Sequence, residues 1–226
     1  MVEKKKWFDI EIPLLKTSVK LIGYSAEDLN NRVIRLDLTR QLRGKSMEAV
    51  IKVKVENGKA VGDISELNLF PFFIRRMMRN SISYVESSFS PESLDAVLKV
   101  KFFLITRKRV TRAVRNALRI AGEQYITEYL KDKGTEEIFY DILNNKLQKS
   151  MSLKLKKIYP LALCEIRMIN IEKVKEGVVI EKFSEKIEKR PQSEAIEEEK
   201  SQIEEIEEEQ KKARLEEEKS EGKEEE

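Results

Sequence analysis

The chain has 226 residues, with 44 Lys and Arg, 41 Asp and Glu, one Cys and no His. The missing imidazole excludes Ser–His and Cys–His nucleophile pairs and every His-containing metal cluster. A lone Cys164 cannot close an internal disulfide, and the longest apolar runs, 69–74 and 102–105, are too short to cross a bilayer.

With no apolar leader of signal length near Met1, these features predict a cytoplasmic protein with no membrane partner. Its charge is divided. Residues 191–226 hold sixteen Glu against six Lys or Arg, which leaves 38 basic and 25 acidic side chains for residues 1–190. Such a body suits nucleic acid or another anionic surface. Residues 1–182 are therefore expected to form a basic RNA-binding body, and residues 183–226 a Glu-rich tail that is disordered or a lone marginal helix. High Lys and Glu content without His is also the direction thermophile compositions take.

Lys4, Lys5 and Lys6 precede an alternating segment in which Phe8, Ile10 and Ile12 share one side and Trp7, Asp9 and Glu11 the other, ended by Pro13. That pattern predicts an edge strand. Strands are also expected at 18–24, 32–38 and 48–55, the last returning through Asn57-Gly58 into a partner at 59–64. Over 70–80, Pro71 suits a first helical turn, and Ile74, Met77 and Met78 recur at helical spacing beside Arg75, Arg76 and Arg79. A hairpin follows, 81–89 and 96–105, across Ser90-Pro91-Glu92-Ser93.

The next stretch, 106–129, sorts its side chains when wound as a helix. Val110, Val114, Ala117, Leu118, Ala121 and Tyr125 fall within an arc of roughly 100°, and Lys108, Arg112, Arg115 and Arg119 within roughly 60° on the far side. Arg107 would sit over the apolar arc, so the helix is expected to start at Lys108 or later. Gly122 costs about 1 kcal/mol in a helix and reads as a kink or a packing contact, with Ile126 landing on the basic side. A merely solvated face would mix Lys with Glu, yet no acid precedes Glu123, so the Arg side chains repel one another. A polyanion relieves that repulsion, and the planar Arg fork matches phosphate oxygens.

Lys133-Gly134 should stop this helix, and Thr135 should cap a second one whose buried face holds Ile138, Phe139, Ile142, Leu143 and Leu147. Lys154, Lys156 and Lys157 then precede Ile158-Tyr159-Pro160-Leu161 and a last strand at 163–174. The expected class is α+β, a mostly antiparallel core of about seven strands with three or four helices.

No motif calls for a cofactor or a resident metal. Gly44-Lys45-Ser46 imitates the end of a phosphate loop, but Thr39 stands where the pattern needs Gly. Asp9 and Glu11 share a strand face and read as surface acids, and Cys164 as a small core side chain.

Lys5-Lys6-Trp7-Phe8-Asp9-Ile10, Asn31-Arg32-Val33 leading to Leu36-Asp37-Leu38, Thr106-Arg107-Lys108-Arg109, and Ile158-Tyr159-Pro160-Leu161 occur here in one order and spacing. Together they resemble the archaeal and eukaryotic small-subunit ribosomal protein family S-three-Ae (S3Ae), also called S-one-e, across 4–175. The resemblance implies a β-barrel-like core flanked by helices and no catalytic activity. It also implies binding to ribosomal RNA on the platform, near the messenger exit and the 3′ end of the subunit's RNA, beside neighbouring ribosomal proteins. It places the family's aromatic pair on Trp7 and Phe8, its basic strand exit on Arg107, Lys108 and Arg109, and its Tyr-Pro corner on Tyr159 and Pro160. Eukaryotic members carry a longer basic extension before the tryptophan, so the chain looks like an archaeal form. Two readings from other classes share parts of the pattern: a free-standing RNA-binding translation or processing factor, and a metal-carboxylate enzyme acting on RNA. The second needs clustered acids, and the body's acids are scattered.

Overall fold

Alternation of apolar and polar side chains builds most of the molecule. The computed structural model describes residues 4–42, 44–56 and 59–175. Its strands are β1 (Lys6–Ile12), β2 (Thr17–Gly23), β3 (Val33–Asp37), β4 (Met47–Glu56), β5 (Lys59–Leu69), β6 (Tyr84–Phe89), β7 (Ala96–Thr106) and β8 (Leu161–Val174). Its helices are α1 (Pro71–Met77), α2 (Arg112–Lys131), α3 (Thr135–Leu143) and α4 (Lys146–Lys156). None of the described helices is long and apolar enough to cross a membrane. The Asn57-Gly58 turn and the acidic tail lie outside the described residues.

All eight strands join one sheet in the order β2-β1-β5-β8-β7-β6, with β4 on the other edge of β5 and β3 beyond it. Every pairing is antiparallel except β1 with β5, which run parallel at Glu11 and Val61. The sheet is open rather than a closed barrel, because β2, β3 and β6 each pair on one side only. It nevertheless curls. Ile10 of β1, Val53 of β4 and Ala60 of β5 share one buried cluster with Leu29, from the short 3₁₀ turn between β2 and β3. That turn fills the seam in place of strand pairing, and Arg32 bridges it by donating to Ile22 O at 2.9 Å and Asp28 O at 3.0 Å.

The main core lies under the helices. Phe102 and Phe103 of β7 are buried in it with Leu118, Ile126 and Leu130 of α2, Ile138 and Phe139 of α3, and Leu147, Met151 and Leu155 of α4. Gly122 is a packing contact, and α2 runs unbroken through it. A Cβ there would stand 2.8 Å from the Phe102 ring.

Three expectations are corrected by this packing. The buried stripe of α2 is Leu118, Gly122, Ile126 and Leu130, while Ala117 is exposed; four-residue steps advance about 40° each, so the stripe rotates towards the side assigned to charge. Thr135 does not cap α3. Its N–H and Oγ1 donate to Asp95 Oδ2 at 2.9 and 3.0 Å, so a carboxylate from the β6–β7 turn serves that helix start. Leu147 belongs to a separate helix, because Asn145 at φ 59° ends the preceding segment; Asn adopts this left-handed conformation more readily than most residues.

Two ionic contacts lock the helical layer. Lys45, the lysine of the phosphate-loop imitation, lies 2.6 Å from Glu165 Oε2 with both side chains nearly buried, and donates to Asn145 Oδ1 at 2.8 Å. Lys133 of the α2–α3 turn donates to Asp141 and to Tyr129 Oη, and Tyr129 donates to Asp141 at 2.8 Å. Burial pushes the Tyr129 hydroxyl up to about 12. Burial opposes the charge on Lys133, but the hydrogen bonds to Asp141 and Tyr129 outweigh it and hold the ammonium above its usual range.

Gly122→Ala should destabilise the protein although Ala is the better helix former. Overpacking costs about 1–3 kcal/mol against about 1 kcal/mol of propensity gained, so the expected midpoint falls by about 2–4 °C per kcal/mol of net loss. A raised midpoint in thermal unfolding would contradict the contact. For Tyr129 and Lys133 the folded pKa exceeds the unfolded one. Their stabilisation is complete below pH 10 and fades as pH rises, for Tyr129 towards about 12 and for Lys133 higher still. Alkaline melting curves of Tyr129→Phe should therefore depend less on pH in that window than those of the parent.

Candidate nucleic-acid interface

Strand direction gathers the basic segments. β7 ends at Thr106 beside Leu161, where β8 begins, so the exit Arg107-Lys108-Arg109 and the approach Lys154, Lys156, Lys157 meet at one end of the sheet. β6 begins at the same end, since Tyr84 pairs with Ile105. β5, antiparallel to β8, points its C-terminus that way too, and α1 with Arg75 and Arg76 follows it, Arg79 lying just beyond the helix.

Buried Thr106 ties these loops together. Its Oγ1 receives the Ser83 N–H at 3.0 Å and lies 2.6 Å from Lys108 O, while Ser83 Oγ receives the Val110 N–H at 3.1 Å. The exit is thus a fixed turn, which is why Arg107 never has to sit on the apolar face of a helix. α2 starts at Arg112 with no acid in its first turn and no side-chain cap from Thr111. Its free N–H groups and dipole add positive potential beside Arg107, Lys108, Arg109 and Arg112.

Between α2 and the edge strand β6 runs a cleft of about 630 Å³, lined by Arg112, Arg115, Asn116, Arg119, Tyr84 and Glu86 among others. The three Arg side chains differ in commitment. Arg119 Nη1 donates to Glu123 Oε1 at 2.8 Å and its Nη2 to Asn116 Oδ1 at 3.1 Å, while Glu123 also accepts from Ser87. Arg112 and Arg115 are exposed and have no acid within ion-pair distance among the described residues. Burial, and then the hydrogen bond to Glu86, push the Tyr84 hydroxyl up to about 12, so it stays a neutral donor in the wall.

Other candidates divide similarly. Arg76 lies over the Phe73 ring and Lys154 Nζ stands 4.6 Å over the Tyr125 ring, and both residues are exposed. Arg107, Lys108, Arg109, Arg75, Arg79, Lys156 and Lys157 are all exposed. Lys4, Lys5 and Lys6 are exposed but stand elsewhere, because β1 runs parallel to β5 and so starts at the opposite end. One basic residue next to the cleft's Glu86 escapes sequence reading. Arg167 is the extra residue where the β7–β8 register slips between Lys101 and Phe102, and it lies 3.4 Å from Glu86; a β-bulge re-aims a side chain that simple alternation would place otherwise. Among the described residues no group of three Cys, Asp or Glu is placed to hold a metal ion, and Asp9 instead lies 4.0 Å from Lys20.

The family model for the ribosomal S3Ae family matches residues 1–175. The chain is 25% identical over 178 residues to small ribosomal subunit protein eS1 of Nanoarchaeum equitans, covering 75% of this chain and 90% of that protein. It is 23% identical over 172 residues to the eS1 protein of Methanobrevibacter smithii, covering 73% and 89%. With that of Pyrobaculum islandicum it shares 24% over 177 residues, covering 75% and 80%.

If Arg112 and Arg115 each neutralise a phosphate, replacing both by Gln should flatten the log–log salt dependence of RNA binding by about 1.5 units, at about 0.7–0.9 per contact. Arg119→Gln should change the slope less and the thermal midpoint more, since it breaks the contact with Glu123. Equal slopes for parent and double variant would leave the cleft a solvated surface.

Proposed function

The chain belongs to the ribosomal S3Ae family, and from that premise we propose that it is a structural protein of the small ribosomal subunit that binds ribosomal RNA through the basic end of its sheet. The observation that carries this reading is the convergence of four basic segments, around α1, the β7 exit, α2 and the end of α4, on one side of a folded body. Their fixed backbone and exposed basic side chains suit a static RNA contact, where binding makes no demand for turnover.

In this reading the body sits on the subunit platform, near the messenger exit and the 3′ end of the subunit's RNA, with ribosomal RNA and neighbouring ribosomal proteins as partners and the cytoplasmic ribosome as its location. It has no catalytic role and needs no cofactor. Residues 1–182 act as the RNA-binding unit, and the Glu-rich segment 183–226 is a separate appendage that limits nonspecific RNA binding by its charge. The contacting residues are Arg75, Arg76, Arg79, Arg107, Lys108, Arg109, Arg112, Arg115, Arg119, Lys154, Lys156 and Lys157, with Lys4, Lys5 and Lys6 serving a separate surface at the other end.

Sedimentation of the native protein through gradients of rising salt decides between this role and that of a free-standing RNA-binding factor. A constituent stays with small subunits in salt that strips loosely held factors, at about one copy per subunit. Release into the light fractions at moderate salt would favour the free factor.

A further inference from the structure

At the end of the sheet away from the Arg cleft, β1 turns its polar side outward and exposes the indole of Trp7, 68% accessible. Register places Ile22 of β2 directly beside it, 41% accessible, and Tyr24, just past the end of β2, is 49% accessible. Lys5 Nζ stands over the Tyr24 ring, 5.5 Å from its centroid.

The charge set directly against these rings is positive. Lys4, Lys5 and Lys6 are all exposed, Lys5 on the Trp7 side and Lys6, with Phe8, on the other side of the strand. Acids lie near as well: Asp9 and Glu11 share the Trp7 side of β1, Asp9 standing 4.0 Å from Lys20, and the exposed Glu27 and Asp28 lie in the 3₁₀ turn. Rings beside ammonium groups match one ligand chemistry well, a flat base flanked by phosphates. A duplex hides its base faces in the stack, so the match is to an unpaired strand.

The two ends are separate. Trp7 lies four residues before the Glu11–Val61 pairing, and β5 runs on to Leu69, so about 40 Å of strand, at about 3.3 Å per residue, separates them. We propose that the Trp7–Tyr24 face is a second nucleic-acid site, which takes an unpaired nucleotide by stacking its base on the indole and holding its phosphate with Lys5. The site does not depend on the Arg cleft, and one strand of RNA can occupy it while the other end holds duplex.

Trp7 is the only tryptophan in the chain, so its fluorescence reports on this site directly. Titration of the full-length protein with oligouridylate or oligoadenylate should quench the emission to saturation, whereas duplex RNA of equal length should bind with little quenching. The quenching should persist in the Arg112→Gln/Arg115→Gln protein, which separates this site from the Arg cleft. Trp7→Leu, with Tyr24→Leu as a second variant, should weaken single-strand binding about tenfold in anisotropy measurements and leave duplex binding unchanged. Single strands that bind without quenching, or duplex that quenches equally, would overturn the proposal. So would emission that changes with protein concentration alone, or only on adding another protein, because the face would then be a protein contact.

Discussion

The orientation of α2 is decided where Gly122 meets the ring of Phe102. No side chain fits between them, so the helix axis comes close to β7 at that point, and Leu118, Ile126 and Leu130 are carried into the core along the same stripe. Side chains on the opposite side of the first turns then have only solvent and the β6 edge to face. The exposed Arg112 and Arg115 are a consequence of that close approach, and among the described residues neither has an acid within ion-pair distance. Glu123, one residue past the glycine, binds Arg119 and Ser87 instead.

A second constraint is the unequal length of the strands. β5 is long enough to hold β4 along one edge and to divide the other between β1 and β8. This division lets the β1–β2 hairpin fold over β3 and β4, forming the smaller cluster around Ile10, Val53 and Ala60. Full closure would need hydrogen bonds between β2 and β3. The turn carrying Leu29 stands in that gap instead, and a single guanidinium, Arg32, spans it. Apolar packing without a strand ladder therefore gives a curled sheet that keeps its edges.

The same topology gives the two ends different chemistry. At one end, strands β5 and β7 leave the sheet, the chain turns through α1, the β7 exit and α4, and each turn carries cations. At the other, β1 enters with three lysines and an indole. Potential from the first end is broad and suits the phosphate backbone of folded RNA, since exposed like charges act additively over about a Debye length. The second end is small and aromatic, a shape matched to stacking rather than to a broad field.

Much of this was legible in the order of residues alone, because local periodicity is a local property. The strands, the Arg-rich helix and the absence of histidine chemistry follow from side-chain type and spacing. So does the resemblance carried by Trp7-Phe8, Arg107-Lys108-Arg109 and Tyr159-Pro160, which agrees with the family match over 1–175. The buried stripe of that helix, and the choice between a kink and a packing contact at Gly122, do not. The rest depended on contacts between residues far apart. Only register makes Arg167 a bulge residue next to Glu86, only Asp95 from a distant turn replaces Thr135 as the cap of α3, and only the burial of Glu165 against Lys45 takes that lysine out of reach of phosphate. The separation of Lys4, Lys5 and Lys6 from the other cations likewise follows from one parallel pairing, Glu11 with Val61, fifty residues apart in the chain. Sequence determined which side chains could bind RNA, and tertiary structure decided which of them stand together with their charge still unspent, because ion pairing and strand direction are set by neighbours in space.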